Sequence, residues 1–148
     1  TISVNHIPSF MGTDMAYFSN YRRLENAKDS DMRFTDLQKI VTSNIDYSDA
    51  NVQKINYNDY IKQGWFHFDN ATIMVLRLLV KLGISNVAIA GFDGYVFNKG
   101  NYSSTALELK RDEETINLIN SDAREMLADI KAHSDINIRF ITDSLYNE

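Results

Sequence analysis

The sequence predicts an α/β protein, a Rossmann-like three-layer sandwich with a mostly parallel sheet. The first observation is an almost wholly apolar helix at residues 69–82, which offers water only Arg77 and Lys81 on one narrow stripe. The second is residues 87–90, an apolar strand without polar alternation, as expected when helices cover both sheet faces. The third is the order β-β-α-β-β-α-β-α-β, which favours parallel strands joined by crossover helices.

The individual elements follow from periodicity and from turn signals. Strands are predicted at residues 2–4, 14–20, 39–44, 52–57, 86–92 and 136–141, and helices at 21–28, 69–82 and 112–132. Residues 52–57 alternate and are therefore expected near a sheet edge. Asp69 or Asn70 is expected to cap the central helix, and Gly83 to follow its end. Residues 29–31 predict a surface turn, and residues 93–104 a long loop.

Length and composition define the class of protein. A chain of 148 residues suits one domain with a substantial core, and its hydrophobic content of 44% is ordinary for a soluble protein. There is no cysteine, which excludes thiol catalysis, disulfides and cysteine-ligated zinc, and we expect a cytoplasmic location. A formal charge of −5 argues against nucleic acid as a partner. No apolar run approaches the roughly 20 residues of a membrane span.

The chain opens directly on a predicted strand at Thr1, without an initiator methionine or a leading loop. We therefore expect residues 1–148 to be a single Rossmann-like domain that forms the C-terminal fragment of a longer protein.

Polar side chains gather where the predicted strands end, which is the edge at which open α/β sheets bind ligands. The strand ends carry Asn5 with His6, Ser19 with Asn20, Thr42-Ser43-Asn44, Asn56-Tyr57-Asn58, and Asp93. Neutral amides can read a base or a sugar through paired donors and acceptors. The alternative is that asparagine serves only turns and helix caps. Arg22 and Arg23 at a helix start either clamp an anion or form a solvated surface pair.

Histidine and aspartate supply the remaining candidates. His6 and His67 are candidate general bases, since histidine titrates near neutrality, although either could be structural. His133 is expected to interact with the end of its helix. Asp93 could accept hydrogen bonds from ribose hydroxyls or serve only the loop backbone. The spacing of the histidines predicts no metal site, and no dinucleotide, P-loop or serine-hydrolase motif is present, so no cofactor is expected.

A family resemblance adds to this picture. The stretch DNATIMVLRLLVKLGISNVAIAGFDGY, together with ISVNHIP, DMAYFSNYRR and IVTSN, resembles the C-terminal Rossmann-like domain behind an aldolase barrel of the HMG-CoA lyase type, in bacterial proteins described as 4-hydroxy-2-oxovalerate aldolases. A helix leading into a GFDG strand is more distantly similar to bacterial sialyltransferases that use CMP-sugars. The resemblance spans roughly residues 1–145.

The resemblance implies an accessory domain whose lyase chemistry resides in a preceding aldolase barrel, with a small-molecule ligand and without catalysis by this chain alone. The candidate ligand-binding residues are Asn5, Asn20, Arg23, Ser43, Asn44 and Asp93. Asp69-Asn70 replaces the Ser-Gly that such transferases often carry at the central helix, and no catalytic base carries over. Two alternatives remain open. One is a glycosyltransferase with His67 or His6 as base, and the other is a module whose exposed aromatics Trp65, Phe66 and Tyr95 mediate homo-oligomer or barrel assembly.

Overall fold

The computed structural model describes residues 1–9, 12–100 and 110–147. The strands are β1 (Ile2–Val4), β2 (Met15–Phe18), β3 (Gln38–Thr42), β4 (Val52–Ile55), β5 (Asn86–Ile89) and β6 (Asn137–Phe140). The helices are α1 (Tyr21–Ser30), α2 (Ala71–Lys81) and α3 (Glu113–Ala132), with short 3₁₀ turns at Met32–Thr35 and Tyr57–Asp59. Every pair of neighbouring strands is parallel. The predicted α/β class with a Rossmann-like, mostly parallel sheet is confirmed.

The chain divides into two compact units, Thr1–Ile61 and Lys62–Glu148. The first unit holds a four-stranded sheet in the order β1-β2-β3-β4, and the second holds a two-stranded sheet of β5 and β6. The edge position predicted for the alternating residues 52–57 is confirmed, because β4 is the last strand of the first sheet.

The core of the first unit lies between its sheet and α1. Ala16, Phe18 and Val41 project from β2 and β3 toward Leu24 and Ala27 of the helix, and all five are buried. Period-two placement along neighbouring strands produces this continuous apolar face.

Lys39 is an exception inside that core, since it lies in β3 with its side chain fully buried. Its ammonium donates to the carbonyls of Phe34 and Leu37, each at 2.8 Å, and lies 3.2 Å from the Asp49 carboxylate. A buried charge is tolerated when it is paired and hydrogen-bonded in this way. Lys39 therefore ties the segment before β3 to the segment that leads into β4.

The core of the second unit is built on α2. Ile73 and Leu76 of α2 pack with Ala123 and Met126 of α3 and with Ile89 of β5. Asn70 caps α2 by accepting hydrogen bonds from the N–H groups of Thr72 and Ile73, as predicted.

Gly83 follows the end of the helix, as predicted, and its φ is +75°. The N–H of Gly83 donates to Val80 and the N–H of Ile84 to Leu79, each at 3.0 Å, the paired bonds of a Schellman motif.

Three sequence predictions need correction. Strand β5 is not covered on both faces, because Ala88 is exposed beside Arg139 while Val87 and Ile89 face the core. A run of small and β-branched apolar residues looks buried in sequence even when one face is open, since alanine exposes little apolar area.

The other corrections concern local structure. Helix α1 continues to Ser30, whose hydroxyl donates to the Asn26 carbonyl at 2.6 Å, so the turn predicted at residues 29–31 begins only at Asp31. Trp65 and Tyr95 are partly buried, and only Phe66 among the predicted exposed aromatics is strongly exposed, at 78%. The long loop predicted at 93–104 lacks regular structure up to Gly100, and its continuation lies outside the described residues.

Candidate functional site

The carboxyl edge of the four-stranded sheet brings together residues that are distant in sequence. The Asn5 Oδ1 accepts a hydrogen bond from the Ser19 N–H at 3.2 Å, and the Asn44 Nδ2 donates to the Ser19 carbonyl at 3.2 Å. Thr42, buried in β3, donates its hydroxyl to Asn44 Oδ1 at 2.6 Å. Both predicted amides therefore hold the backbone of Ser19, which directly follows β2, the strand between β1 and β3.

These amides keep unused donors. The bond from Asn5 engages its oxygen, and no hydrogen bond within the described ranges uses its Nδ2. Asn44 is exposed, and its amide carries two hydrogens, of which the bond to Ser19 uses one. Asn5 has a φ of +54°, a left-handed conformation that asparagine tolerates better than most residues. Asn5 and Asn44 thus serve the backbone and still present N–H groups at the edge.

The start of α1 lies at the same edge. The Asn20 side chain caps the helix by accepting a hydrogen bond from the Arg23 N–H at 3.2 Å. This is the capping role that the sequence left open for asparagine. Arg23, in the first helical turn, is half-buried and close enough to His6 to lower its pKa.

His6 is exposed beside this helix start. Partial burial lowers the pKa of His6, Asp31 opposes that shift, and Arg23 and Arg33 lower the pKa further. The net direction keeps the imidazole neutral at pH 7, so it can accept a proton. Asp31 is engaged with the Arg33 guanidinium and caps the following 3₁₀ turn. Its pKa is lowered, chiefly by the Arg33 hydrogen bond.

The segment after β4 lies at the end of this edge opposite to β1. The Ser43 Oγ accepts a hydrogen bond from the Tyr57 N–H at 3.0 Å. Asn56 caps the 3₁₀ turn Tyr57–Asp59 through the Asn58 N–H. Asn56 is thus occupied with turn geometry, while Ser43 remains exposed at the end of β3.

Tyr17 is a residue that the sequence reasoning missed. Its side chain in β2 is fully buried, and its hydroxyl has no hydrogen-bond partner among the described residues. Burial raises the pKa of Tyr17, and the Ser19 side chain opposes that shift. Leaving a buried hydroxyl unpaired costs about 1–3 kcal/mol. The apolar residues around Tyr17 in sequence made it look like an ordinary core position.

The second unit contains the other predicted residues, His67 and Asp93. His67 contacts the nearly buried Asp122 of α3, whose Oδ2 lies 2.8 Å from the His67 backbone nitrogen and 2.9 Å from His67 Nδ1. Asp93 is exposed, and its Oδ1 accepts a hydrogen bond from the Thr142 hydroxyl at 3.1 Å. Thr142 also accepts a bond from the Gly91 N–H at 2.9 Å. Asp93 therefore links the segments that follow β5 and β6.

Asn120 is the second residue that the sequence reasoning missed. It is 5% exposed in the middle of α3. Its Oδ1 accepts bonds from the Tyr95 N–H at 2.9 Å and the Tyr146 hydroxyl at 2.8 Å, and its Nδ2 donates to the Tyr95 carbonyl at 2.8 Å. The one available signal was its position on the apolar face of α3, between Ile116 and Ala123.

His133 behaves as predicted, with Nδ1 2.8 Å from the Asp129 carbonyl in the last turns of α3. Within the described ranges, no group of three or more histidine, cysteine, aspartate or glutamate side chains is arranged to hold a metal ion. No helix of the described chain has the length and apolar character required to cross a membrane.

No protein-family model, curated protein or solved structure matches this chain. The kinship with aldolase-linked Rossmann-like domains stays a prediction from the sequence.

Proposed function

We propose that the chain is an accessory ligand-binding domain of an aldolase-type protein, which holds a nucleotide, sugar or acyl ligand at the carboxyl edge of its four-stranded sheet. The observation that carries this proposal is the pair of amides, Asn5 and Asn44, fixed on the Ser19 backbone with donors left over. Donor groups that are already held in position lose little conformational entropy when a ligand binds, and they therefore suit a small polar ligand. The location agrees with the rule that open parallel sheets bind ligands beyond their strand ends.

The charge of this edge supports an anionic or highly polar ligand. Arg23 and the first turn of α1 lie beside His6, and the helix start contributes N–H groups and a partial positive charge. The lyase reaction itself would belong to an aldolase barrel in the same protein, as the resemblance implies. A cytoplasmic location is part of the same proposal, and the lack of cysteine in the sequence supports it.

Calorimetry with CMP, UDP, coenzyme A and pyruvate tests the binding proposal. We expect at least one compound to bind and the Asn44→Ala variant to bind it about tenfold more weakly, a difference of about 1.4 kcal/mol. Asn117→Ala is the matched control, because Asn117 is an exposed asparagine of α3, in the second unit, whose side chain takes part in no hydrogen bond among the described residues. Binding by none of the four compounds, or equal losses in the two variants, contradicts the proposal.

A second experiment, independent of the binding test, examines the lyase assignment. We expect the chain by itself not to cleave 4-hydroxy-2-oxo acids when divalent metal is supplied. Metal-dependent cleavage by this chain alone would place the chemistry here and remove the accessory role.

The second candidate is a glycosyltransferase that uses a nucleotide-activated sugar, with His6 as base. The observation that favours it is the position of His6, exposed at the same edge after β1, and its lowered pKa keeps the imidazole neutral, so that it can accept a proton from an acceptor hydroxyl. His6→Gln should then abolish hydrolysis of CMP- or UDP-sugars while binding persists. Hydrolysis that survives the replacement of both His6 and His67 excludes histidine as the base.

A further inference from the structure

A cavity of about 960 Å³ lies in the second unit, between α3 and the segments that follow β5 and β6. Its apolar side chains are Val96, Phe97, Leu118 and Leu145, each of them between 40% and 43% exposed. Large hydrophobic side chains exposed around one concave surface are typical of a ligand-binding site, whereas singly scattered ones need no explanation. The volume is in the range of small-molecule pockets, about 300–1,000 Å³.

Hydrogen bonds hold the backbone of this cavity in place. The buried Asn120 bonds both the N–H and the carbonyl of Tyr95, at 2.9 and 2.8 Å, and accepts from the Tyr146 hydroxyl at 2.8 Å. The Leu145 N–H donates to the Asp93 carbonyl at 2.9 Å. Walls that are already ordered lose little conformational entropy when a ligand binds.

Arg124 supplies the positive charge of the cavity. Its Nε donates to the Leu145 carbonyl at 3.2 Å, and its guanidinium carbon lies 5.9 Å from the centre of the Tyr146 ring. No hydrogen bond among the described residues engages its two terminal nitrogens. Guanidinium nitrogens form paired, charge-assisted hydrogen bonds with a carboxylate. The cavity therefore joins an apolar surface to an oriented donor group for an anion.

Two glutamates line the opposite end of the same cavity. Glu113 and Glu114 lie in the first turn of α3, and both are exposed. Arg124 follows Glu114 by about 15 Å along the helix axis, at 1.5 Å per residue. This separation exceeds the Debye length of about 8 Å, so the glutamates weaken an ion pair at Arg124 only slightly. They do repel a second negative charge at their own end of the ligand.

We infer that this cavity binds a monocarboxylate with an apolar body, such as an aliphatic or aromatic acid. Arg124 pairs with the carboxylate, and the hydrocarbon lies against Phe97 and Leu118. The glutamates select against dicarboxylates and against ligands with several phosphates. The inference concerns the second unit by itself and does not rest on the function proposed for the first.

Calorimetry with octanoate, 1-octanol and octanedioate separates the contributions of the carboxylate and the hydrocarbon. Wild-type protein should bind octanoate about tenfold more tightly than 1-octanol, because only octanoate pairs with a guanidinium. Octanedioate should bind more weakly than octanoate, since its second carboxylate meets the two glutamates. Absence of octanoate binding, or octanedioate binding as tight as that of octanoate, overturns the inference.

Arg124→Gln tests the position of the carboxylate. This variant should bind octanoate about tenfold more weakly and 1-octanol as wild type does, and the second result shows that the cavity is still formed. Arg139→Gln is the matched control, because Arg139 is an exposed arginine of β6 that does not line the cavity. Equal octanoate affinities of the two variants would contradict the role of Arg124.

Leu118→Gln tests the apolar wall. It should weaken the binding of octanoate and of 1-octanol alike, whereas Leu82→Gln should change neither, because Leu82 is exposed at the end of α2 and outside the cavity. Sedimentation of the wild-type protein and of Leu118→Gln examines a different occupant. Self-association of the wild type that Leu118→Gln abolishes would assign the apolar wall to a second copy of the chain and overturn the inference.

Discussion

His67 and Asp122 are joined twice, since one carboxylate oxygen lies 2.8 Å from the backbone nitrogen and 2.9 Å from the ring nitrogen of the same histidine. Two neighbouring contacts extend the attachment, from Trp65 Nε1 to Glu125 at 3.0 Å and from the Lys62 ammonium to Asp129 at 2.6 Å. The three acidic residues follow one stripe of α3 at helical spacing. The segment before α2 is therefore fastened to α3.

Replacement of Asp122 should weaken the attachment of the segment before α2 to α3. Asp122→Ala leaves the partly buried His67 N–H without its acceptor, so we expect a loss of about 1 kcal/mol in the free energy of unfolding. Asp122→Asn keeps an oxygen acceptor and should lose less. Urea denaturation measures the difference, with Asp135→Ala as the control, because Asp135 is exposed. Equal stability of Asp122→Ala and the control would contradict a structural role for this pair.

Asn120 should be among the most sensitive positions of the second unit. Asn120→Ala removes the partners of the Tyr95 backbone and of the Tyr146 hydroxyl, and we expect a loss of about 1–3 kcal/mol in unfolding free energy. Asn117→Ala, an exposed position on the same helix, should change stability by less than about 0.5 kcal/mol. If the two variants unfold at the same urea concentration, the buried hydrogen bonds of Asn120 contribute nothing to the free energy of unfolding.

Gly94 should not tolerate a side chain. It has a φ of +92°, and an added Cβ would lie 2.8 Å from Leu145 Cδ1. Gly94→Ala combines the strain of a left-handed backbone with a steric overlap, so its loss should exceed the roughly 1–2 kcal/mol of the backbone term alone.

The matched control for Gly94 is Gly91→Ala. Gly91 has a φ of +71° with nothing within 4 Å of an added Cβ, so this variant isolates the backbone term. Thermal denaturation compares Gly91→Ala, Gly94→Ala and the double variant Gly94→Ala/Leu145→Ala. The stability that the double variant recovers relative to Gly94→Ala measures the cost of the steric overlap with Leu145. Equal losses for Gly91→Ala and Gly94→Ala would argue against a close Leu145 contact.

Acid should destabilise the first unit through Asp49. Burial raises the pKa of this carboxyl, but hydrogen bonds from Tyr47 and the Asn51 N–H, together with Lys39, hold it below the ordinary 3.8. A carboxyl with a depressed pKa stabilises the fold above its unfolded pKa, and this contribution is lost as pH falls through the folded value. Urea midpoints measured from about pH 6 to about pH 3 should therefore decline.

The Asp49→Asn variant identifies the source of that decline. It should be less stable than wild type at neutral pH and should lose less on acidification, since its side chain does not titrate. Asp135→Asn should follow the wild-type curve, because no partner holds its exposed carboxylate among the described residues. An identical decline for wild type and Asp49→Asn would assign the acid sensitivity to other carboxyls.

The sequence predicted much of the fold because its signals are local. Asn70 as a cap and Gly83 at φ +75° are recognisable from single residues at helix ends. Helix α3 was predicted to within one residue at its start, since its apolar spacing and its cap at Asp112 agree. The division of the strands between two sheets could not be read, because strand pairing depends on partners distant in sequence.

The candidate site was predictable only in part for the same reason. The positions of Asn5 and Asn44 at strand ends were visible, but their common attachment to Ser19 requires the pairing of three strands. The contact of His67 with Asp122 joins residues that no local pattern connects. Tyr17 and Asn120 were missed because neither stands out in the sequence. An aromatic residue in a strand is usually an ordinary core residue, and a polar residue in an amphipathic helix usually faces solvent.

The strand order of the first sheet has a consequence for how the chain folds. Neighbours in the sheet are also neighbours in the chain, so that Ile2 pairs with Met15 and Lys39 with Val52. Loop closure for such pairings is inexpensive in entropy, whereas parallel sheets with distant pairings fold slowly. Stopped-flow refolding of the protein should accordingly show the first sheet forming early, before long-range contacts are made. A nascent chain could complete this sheet as each strand is synthesised, which shortens the time during which its edges are open to aggregation.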